Sequence, residues 1–476
     1  MPPLPERFSL LPRAETAALF QTARGVVRGG EFLAASARLA ALLPTGMPAG
    51  STVLNLCEDR LSFALGFAAA MIAGFRSALS SDHSPARARD LATRLGAAAI
   101  LSEAAIGESA APPAPWRTIT VDPATLLTGA TEAREQVPNP EIAGETPAAE
   151  VFTSGSTGEP VAHRKTWGAL HARSLAAASR FELGASDAGA DGPVSVVGTV
   201  PPQHMYGFET TILLAFHCPV TVWCGPTFFP HDIAAALAAM PAPRLLITTP
   251  LQLRALLDAA LPLPPLALVI SATAPLAPDL AARAEARWQT RVAEIFGATE
   301  AGSIASRMTT SGEIWEAYPG LRLAAAAEGA AADGTTADGV VSVTAPYAGT
   351  VALADALELL TPARFRLLGR RSDVVKLGGK RASLAALTRI LTAIEGVEDG
   401  VFVAPGDLDA EPTARLLAFV VAPGREPGEI LAALRREIDP IFLPRRVIPL
   451  PRLPRNAFGK LSAAHLAALA GPPASS

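Results

Sequence analysis

Short apolar runs recur through the middle of the chain, and each is followed by a stretch with helical spacing. VSVVGTV (194–200) precedes FETTILLAF, VTVWCG (220–225) precedes HDIAAALAAM, and RLLITTP (244–250) precedes LQLRALLDAA. LALVISA (266–272) precedes PDLAARAEARW, and RVAEIFG (291–297) closes the series. Strands of four to eight apolar residues alternating with helices predict an α/β fold, with mostly parallel sheets covered by helices on both faces. Ligands of such sheets bind beyond the carboxyl ends of the strands. The polar punctuation falls at those ends: PPQHMYG (201–207), SATAPL (271–276) and FGATE (296–300).

Earlier in the chain, EFLAASARLAALL (31–43) carries a helical apolar stripe and STVLNL (51–56) reads as a short strand. LSFALGFAAAMIAGF (61–75) is too short to cross a bilayer and reads as a buried helix. Residues 105–148, rich in Pro, Ala, Gly and Glu, predict surface loops around one or two short strands, and the low-complexity stretch 324–339 predicts a surface connection. After about residue 370 the texture changes to short strands and two helices, LAALTRILTAIE (384–395) and PGEILAALRREI (427–438). Two domains follow: a large N-terminal α/β domain over 1–369 and a small mobile α+β domain over 370–476.

At 476 residues, with half of them hydrophobic and 18% charged, the chain has ample material for two well-buried cores. The formal charge of −4 and the lack of a basic block argue against a nucleic-acid partner. Cys57, Cys218 and Cys224 have neither metal-ligand spacing nor the number for a disulfide framework. With no basic-then-apolar leader in MPPLPERFSL and no membrane span, the expectation is a cytoplasmic protein.

The chemistry begins with VFTSGSTGEP (151–160), a strand-like start running into six Thr, Ser and Gly residues. Such a loop is either a flexible turn or a phosphate cradle, in which glycines admit the backbone N–H groups to an anion and hydroxyls add donors. Three further islands stand far downstream: IFGATEAG, LLGRRSDVVKLGGKR and PRLPRNAFGKL. In this order and spacing the four resemble the adenylate-forming (AMP-binding) superfamily of acyl-CoA synthetases, aryl-acid ligases and peptide-synthetase adenylation domains, over roughly residues 30–465.

That resemblance implies ATP-dependent activation of a small carboxylic acid to an acyl-adenylate. The acyl group then passes to the thiol of CoA or of a carrier protein's phosphopantetheine. It implies that Thr153, Ser154, Gly155, Ser156, Thr157 and Gly158 wrap the β- and γ-phosphates. Phe296 packs on the adenine, beside Gly297, while Thr299 touches the α-phosphate and Glu300 helps hold Mg²⁺. SATAPL corresponds to the segment that reads the adenine edge. Asp355 and Arg370 take the ribose, Ser372 with Asp373 forms the hinge, and Gly378 and Gly379 face the site after rotation. Lys460 reaches the substrate carboxylate and the α-phosphate.

PPQHMYGFET (201–210) corresponds to the acid pocket, with His204, Tyr206, Phe208 and Glu209 as the residues against the substrate. An amino acid is disfavoured, because no Asp stands ready to pair with an amino group. Three positions depart from the pattern. Val161 stands where relatives carry a lysine after the Pro, with Arg164 and Lys165 close behind as replacements for the charge. Asp355 lacks its usual Thr-Gly neighbours, and Ser372 stands where the hinge is usually Asp or Lys. Val161, the CEDR segment near residue 57 and the small size look most like acyl ligases of aryl polyene and xanthomonadin-type pathways, which implies a hydroxybenzoate-like acid. A medium-chain or fatty acid is the alternative substrate, and a non-catalytic adenylate-binding scaffold the alternative class.

Overall fold

The computed structural model describes residues 6–80, 84–104, 116–128, 137, 139–154, 160–183, 193–325, 340–370, 374–377, 380–404 and 415–454. Gly155, Ser156, Thr157, Gly158, Ser372, Asp373, Gly378, Gly379 and Lys460 lie outside the described residues, as does most of the low-complexity stretch. Contacts divide the chain into two compact units: 1–323 with 343–351, and 324–342 with 352–476.

The first unit holds two sheets. In the six-stranded sheet, Thr52–Asn55 lies between Arg76–Leu79 and Ala99–Ser102, and Pro147–Ser154 and Arg117–Thr120 extend it, all parallel. Pro160–Thr166 closes one edge antiparallel to Pro147–Ser154. The parallel core of the larger sheet runs Ala18–Thr22, Val220–Trp223, Val194–Gly198, Arg244–Thr248, Leu268–Ser271, Arg291–Ala298. Five of those six strands are the apolar runs of the sequence. Gly302–Met308 and Ile314–Ala317 continue the sheet antiparallel beyond Arg291–Ala298.

The helices form where the apolar stripes predict them, and proline sets several starts. Pro230–Ala239, Pro250–Asp258 and Pro278–Trp288 each begin on a proline, whose missing N–H has no partner to lose in a first turn. Ile233, Leu237, Leu253, Leu256, Leu280 and Ala284 from these helices pack with Val197, Leu246, Val269 and Val292 of the strands beneath. Arg60–Ile72 is buried almost throughout, as its almost wholly apolar composition after Arg60 and Ser62 requires. No helix among the described residues is long and apolar enough to cross a membrane. All three cysteines are buried and free.

In the second unit, Asp355–Thr361 and Arg364–Arg370 form an antiparallel hairpin, followed by a second hairpin, Val374–Leu377 with Lys380–Ser383. Leu417–Val421 is the centre of a three-stranded sheet, antiparallel to Asp399–Val403 and parallel to Arg446–Pro449. Leu384–Thr392 and Pro427–Glu437 cover it through Leu387, Leu391, Ile430 and Leu434. Residue 370 thus falls inside this unit, which takes in the preceding hairpin as well.

One cluster in the first unit is polar in an apolar place. His217 is buried: its Nδ1 meets Ser174 Oγ at 3.0 Å, its Nε2 is unpartnered, and its ring lies 4.7 Å from that of His171 and 4.9 Å from that of Trp167. Burial lowers His171 from 6.5 to about 4 and lowers His217 well below 6.5, with the charge of His171 adding to the shift at His217. The unfolded chain takes up a proton on each imidazole near pH 6.5, whereas the folded chain protonates His171 only near pH 4 and His217 well below its unfolded pH. Their stabilisation is therefore complete above pH 6.5 and is lost as pH falls from there towards 4, with a slope of at most about 1.4 kcal/mol per pH unit for each ring. Thermal melts between pH 7.5 and 4.5 are expected to show this fall. His171→Phe, which removes one titration from an aromatic cluster, is expected to lose less over the same window. Parallel curves for the two proteins contradict it.

Candidate functional site

Arg291–Ala298 ends in a tight connection to Gly302–Met308, and Thr299 and Glu300 form its tip. Ala298 pairs with Gly302, Gly297 pairs with Ser303, and the Ala301 N–H closes the turn on the Ala298 carbonyl at 3.0 Å. Two glycines make this possible. Gly302 has φ +77°, and a Cβ there meets Glu209 Oε1 at 2.5 Å; a Cβ on Gly297 meets the Gly302 carbonyl oxygen at 2.6 Å.

Ionised side chains from three elements hold the backbone of this turn. Lys165, near the end of the edge strand Pro160–Thr166, donates from Nζ to the Glu300 carbonyl at 2.7 Å. Arg173, on the helix Trp167–Phe181, donates to the Ala301 carbonyl at 3.1 Å and to the Ser303 carbonyl. Glu209 accepts the Ser303 N–H on both carboxylate oxygens, at 3.2 and 3.1 Å, and the Ser303 hydroxyl as well. All three side chains are buried. Burial raises the Glu209 carboxyl, opposed first by the nearby Arg173 guanidinium. Burial lowers the Lys165 amine to about 8 against the pull of Glu209, and it lowers Arg173.

By contrast, the Thr299 hydroxyl and the Glu300 carboxylate, both half-buried, make no hydrogen bond or ion pair among the described residues. The turn is fastened through its backbone, and its two chemical side chains are left unspent. Beside it, Phe296 stacks edge-on against Trp315 at 5.8 Å, and Arg307 lies 4.7 Å over the same indole. Arg307 also grips Glu294 Oε2 at 2.9 and 2.7 Å, while Glu294 Oε1 accepts the Leu276 N–H at 2.8 Å. The SATAPL segment is thereby tied to the Phe296 strand. Thr273 in that segment has φ +78°, a conformation costly for a β-branched residue and found where surrounding structure enforces it.

The other sequence candidates divide. Thr153 and Ser154 end the strand Pro147–Ser154, opposite Val161 and Pro160, so residues 155–159 connect two paired strands. Asp355 and Arg370 stand directly opposite each other in the second unit's hairpin. His204 is exposed and caps the helical turn Met205–Gly207, its Nδ1 accepting the Tyr206 N–H at 3.4 Å. Tyr206 is buried and donates to the Ile270 carbonyl at 2.9 Å. Phe208 has no accessible surface and packs against Phe63 and Phe67, so here it is a core residue. Glu209 likewise spends its carboxylate on Ser303. Arg173 and Ser303 were missed in the sequence. The available signal was an arginine within the apolar stripe of Trp167–Phe181, between Leu170 and Ala176.

Glu209→Ala leaves the Ser303 N–H without its acceptor and two buried cations without the carboxylate. It is expected to cost about 3 kcal/mol in urea unfolding, with a smaller loss for Glu209→Gln. An unchanged midpoint for Glu209→Ala contradicts the clamp.

Residues 15–328 match the AMP-binding enzyme family. A 4-coumarate–CoA ligase of Halorhodospira halophila is 30% identical over 317 residues, which is 65% of this chain and 73% of that protein. A second 4-coumarate–CoA ligase, of Rhodobacter capsulatus, is 30% identical over 62% of this chain and 68% of its own length. Among solved structures, ATP-bound MatB from Rhodopseudomonas palustris superposes with a TM-score of 0.74 at 20% identity, covering 94% of each chain. The o-succinylbenzoate coenzyme A synthetase of Bacillus subtilis, with AMP, gives 0.74 at 18% identity over 95% of each. The glycine-bounded Thr-Glu turn at the end of a parallel strand therefore sits in a chain that belongs to the AMP-binding enzyme family, as an AMP-forming acid–thiol ligase.

Proposed function

We propose that the chain activates an aromatic, hydroxybenzoate-like acid with ATP and passes it to the thiol of CoA or of a carrier protein's phosphopantetheine. The 4-coumarate–CoA ligases at 30% identity support an aromatic acid and CoA. Val161 and the CEDR segment support a place beside the acyl ligases of aryl polyene and xanthomonadin-type pathways. The observation that carries the reading is the Thr299–Glu300 turn, with its backbone fastened and its side chains unspent, at the carboxyl end of a parallel strand.

In the first half-reaction a carboxylate oxygen bonds to the α-phosphorus and the bond from that phosphorus to the bridging oxygen breaks, releasing pyrophosphate. In the second, the thiol sulfur bonds to the acyl carbon, its proton leaves, and AMP departs. The protein's work is positioning and charge neutralisation. The Thr299 hydroxyl donates to the α-phosphate, and Phe296 offers its face to the adenine. Asp355 and Arg370, paired across their hairpin, take the ribose hydroxyls. The loop 153–158 holds the β- and γ-phosphates, and Lys460 neutralises the carboxylate and α-phosphate during adenylation. His204 and Tyr206 stand nearest the acid.

Magnesium fits this donor set. Among the described residues no group of three or more His, Cys, Asp or Glu could hold a metal, but one carboxylate plus nucleotide phosphates is an ordinary magnesium set. Glu300 supplies that carboxylate, and the ion, when bound, spreads the phosphate charge.

Acid-dependent pyrophosphate exchange with Mg-ATP, run over aromatic and aliphatic acids, is expected to favour a hydroxylated aromatic acid by at least tenfold. Preference for a medium-chain acid overturns the substrate class, and no exchange with any acid, while ATP still binds, returns the scaffold reading. Lys460→Ala is expected to lose exchange by at least a hundredfold while retaining thioester formation from a supplied acyl-adenylate. Equal loss of both removes Lys460 from the first step.

A further inference from the structure

The strand Pro160–Thr166 presents alternate residues to opposite faces, so Val161, His163 and Lys165 share one face and Ala162 and Arg164 the other. The two cations that follow Val161 therefore serve different neighbours. Arg164, 70% exposed, donates to Glu150 at 2.8 Å, and Glu150 also meets Arg76 at 3.1 Å. Lys165 is 7% exposed and lies on the face of Val161.

The Lys165 ammonium has three N–H donors, and among the described residues it spends one, on the Glu300 carbonyl. No carboxylate makes an ion pair with it there. Glu209, the carboxylate with the strongest pull on it, is bound to Ser303, and Arg173 opposes the pull. A buried ammonium with two donors unspent is costly unless an anion completes it. The Thr299 hydroxyl and the Glu300 carboxylate, neither hydrogen-bonded nor ion-paired among the described residues, belong to the turn that Lys165 holds, and Glu300 adds its pull on the ammonium to that of Glu209.

We infer that Lys165 is the cation that receives a phosphate oxygen of the bound nucleotide at the Thr299–Glu300 turn, supplying in this chain the charge that Val161 does not. The inference rests on the ligase reading and adds to it a residue and a contact. Arg164 takes no part, since it is held on the other face by Glu150. Burial is the largest cause of the lowered basicity of the Lys165 amine, and Glu209 and Glu300 act against it.

The test is binding of Mg-ATP and of adenosine to the full chain by calorimetry, in wild type, Lys165→Gln and Lys165→Arg. The glutamine retains a donor for the Glu300 carbonyl and removes the charge; the arginine retains the charge. Lys165→Gln is expected to weaken Mg-ATP by about 10- to 100-fold, the scale of a charge-assisted contact, and to leave adenosine within about twofold. Lys165→Arg is expected to hold Mg-ATP more tightly than the glutamine variant does, and melting temperatures establish that each variant folds. Should Lys165→Gln not fold, Lys165→Arg carries the test, with adenosine retained and Mg-ATP within about tenfold of wild type. Equal weakening of Mg-ATP and adenosine, or Mg-ATP affinity unchanged in Lys165→Gln, overturns the contact. Wild type that binds Mg-ATP but activates no acid sinks the ligase reading alone; wild type that binds no Mg-ATP sinks both.

Discussion

The site depends on the fastening of one backbone segment, residues 300–303, by ionised side chains that come from elsewhere. Lys165 arrives from the edge strand of the six-stranded sheet, Arg173 from the helix that follows it, and Glu209 from the segment after Val194–Gly198. The turn itself belongs to the larger sheet. A single bond from Lys165 to the Glu300 carbonyl therefore joins the two sheets of the first unit at the Thr299–Glu300 turn. Two cations and one carboxylate are buried to do it, and burial of that kind is poor at stabilising a fold compared with apolar packing. Its return is definition of position.

That definition is one-sided. Main-chain carbonyls and one N–H are consumed, and the side chains of Thr299 and Glu300 are not. A transition state that accumulates charge gains most from groups already in place, because no binding energy goes to arranging them. The glycines at 297 and 302 belong to the same scheme. Each occupies a position where a Cβ meets the opposing chain or Glu209, so the close hairpin and the buried carboxylate are only compatible when both are glycine. Glu209 lies on a π-helical turn, Phe208–Leu213, a form that recurs at functional sites because it shifts a side chain out of ordinary helical register.

The repeated strand and helix pairs from 194 to 297 were legible because a buried parallel strand is an unbroken apolar run, bounded by residues that cannot continue it. The hairpin of 18–28 was not. ALFQT carries only three apolar residues, and its place beside Val220–Trp223 is a contact two hundred residues away that no local pattern records. Thr299 and Glu300 were legible through the family resemblance of IFGATEAG, whereas the turn glycine Gly302 was not singled out and Arg173 was hidden in an apolar stripe. PPQHMYGFET suggested a row of pocket residues, yet Phe208 lies in the aromatic core with Phe63 and Phe67. Helical curvature over such a short segment sends neighbouring residues in different directions, and only packing decides which is inside.

The adjacent cations at 164 and 165 show where sequence reading stops. Both follow Val161 and both are basic, so composition and spacing cannot separate them. Strand alternation places them on opposite faces, and then the neighbours decide: Glu150 holds one, the Thr299–Glu300 turn the other. With Lys165 as the phosphate cation, its Cα stands four residues, about 13 Å, along the strand from that of Val161. On that proposal the positive charge would sit at the Thr299–Glu300 turn rather than directly after Pro160, and the fold places it there through strand alternation and burial rather than through adjacency in sequence.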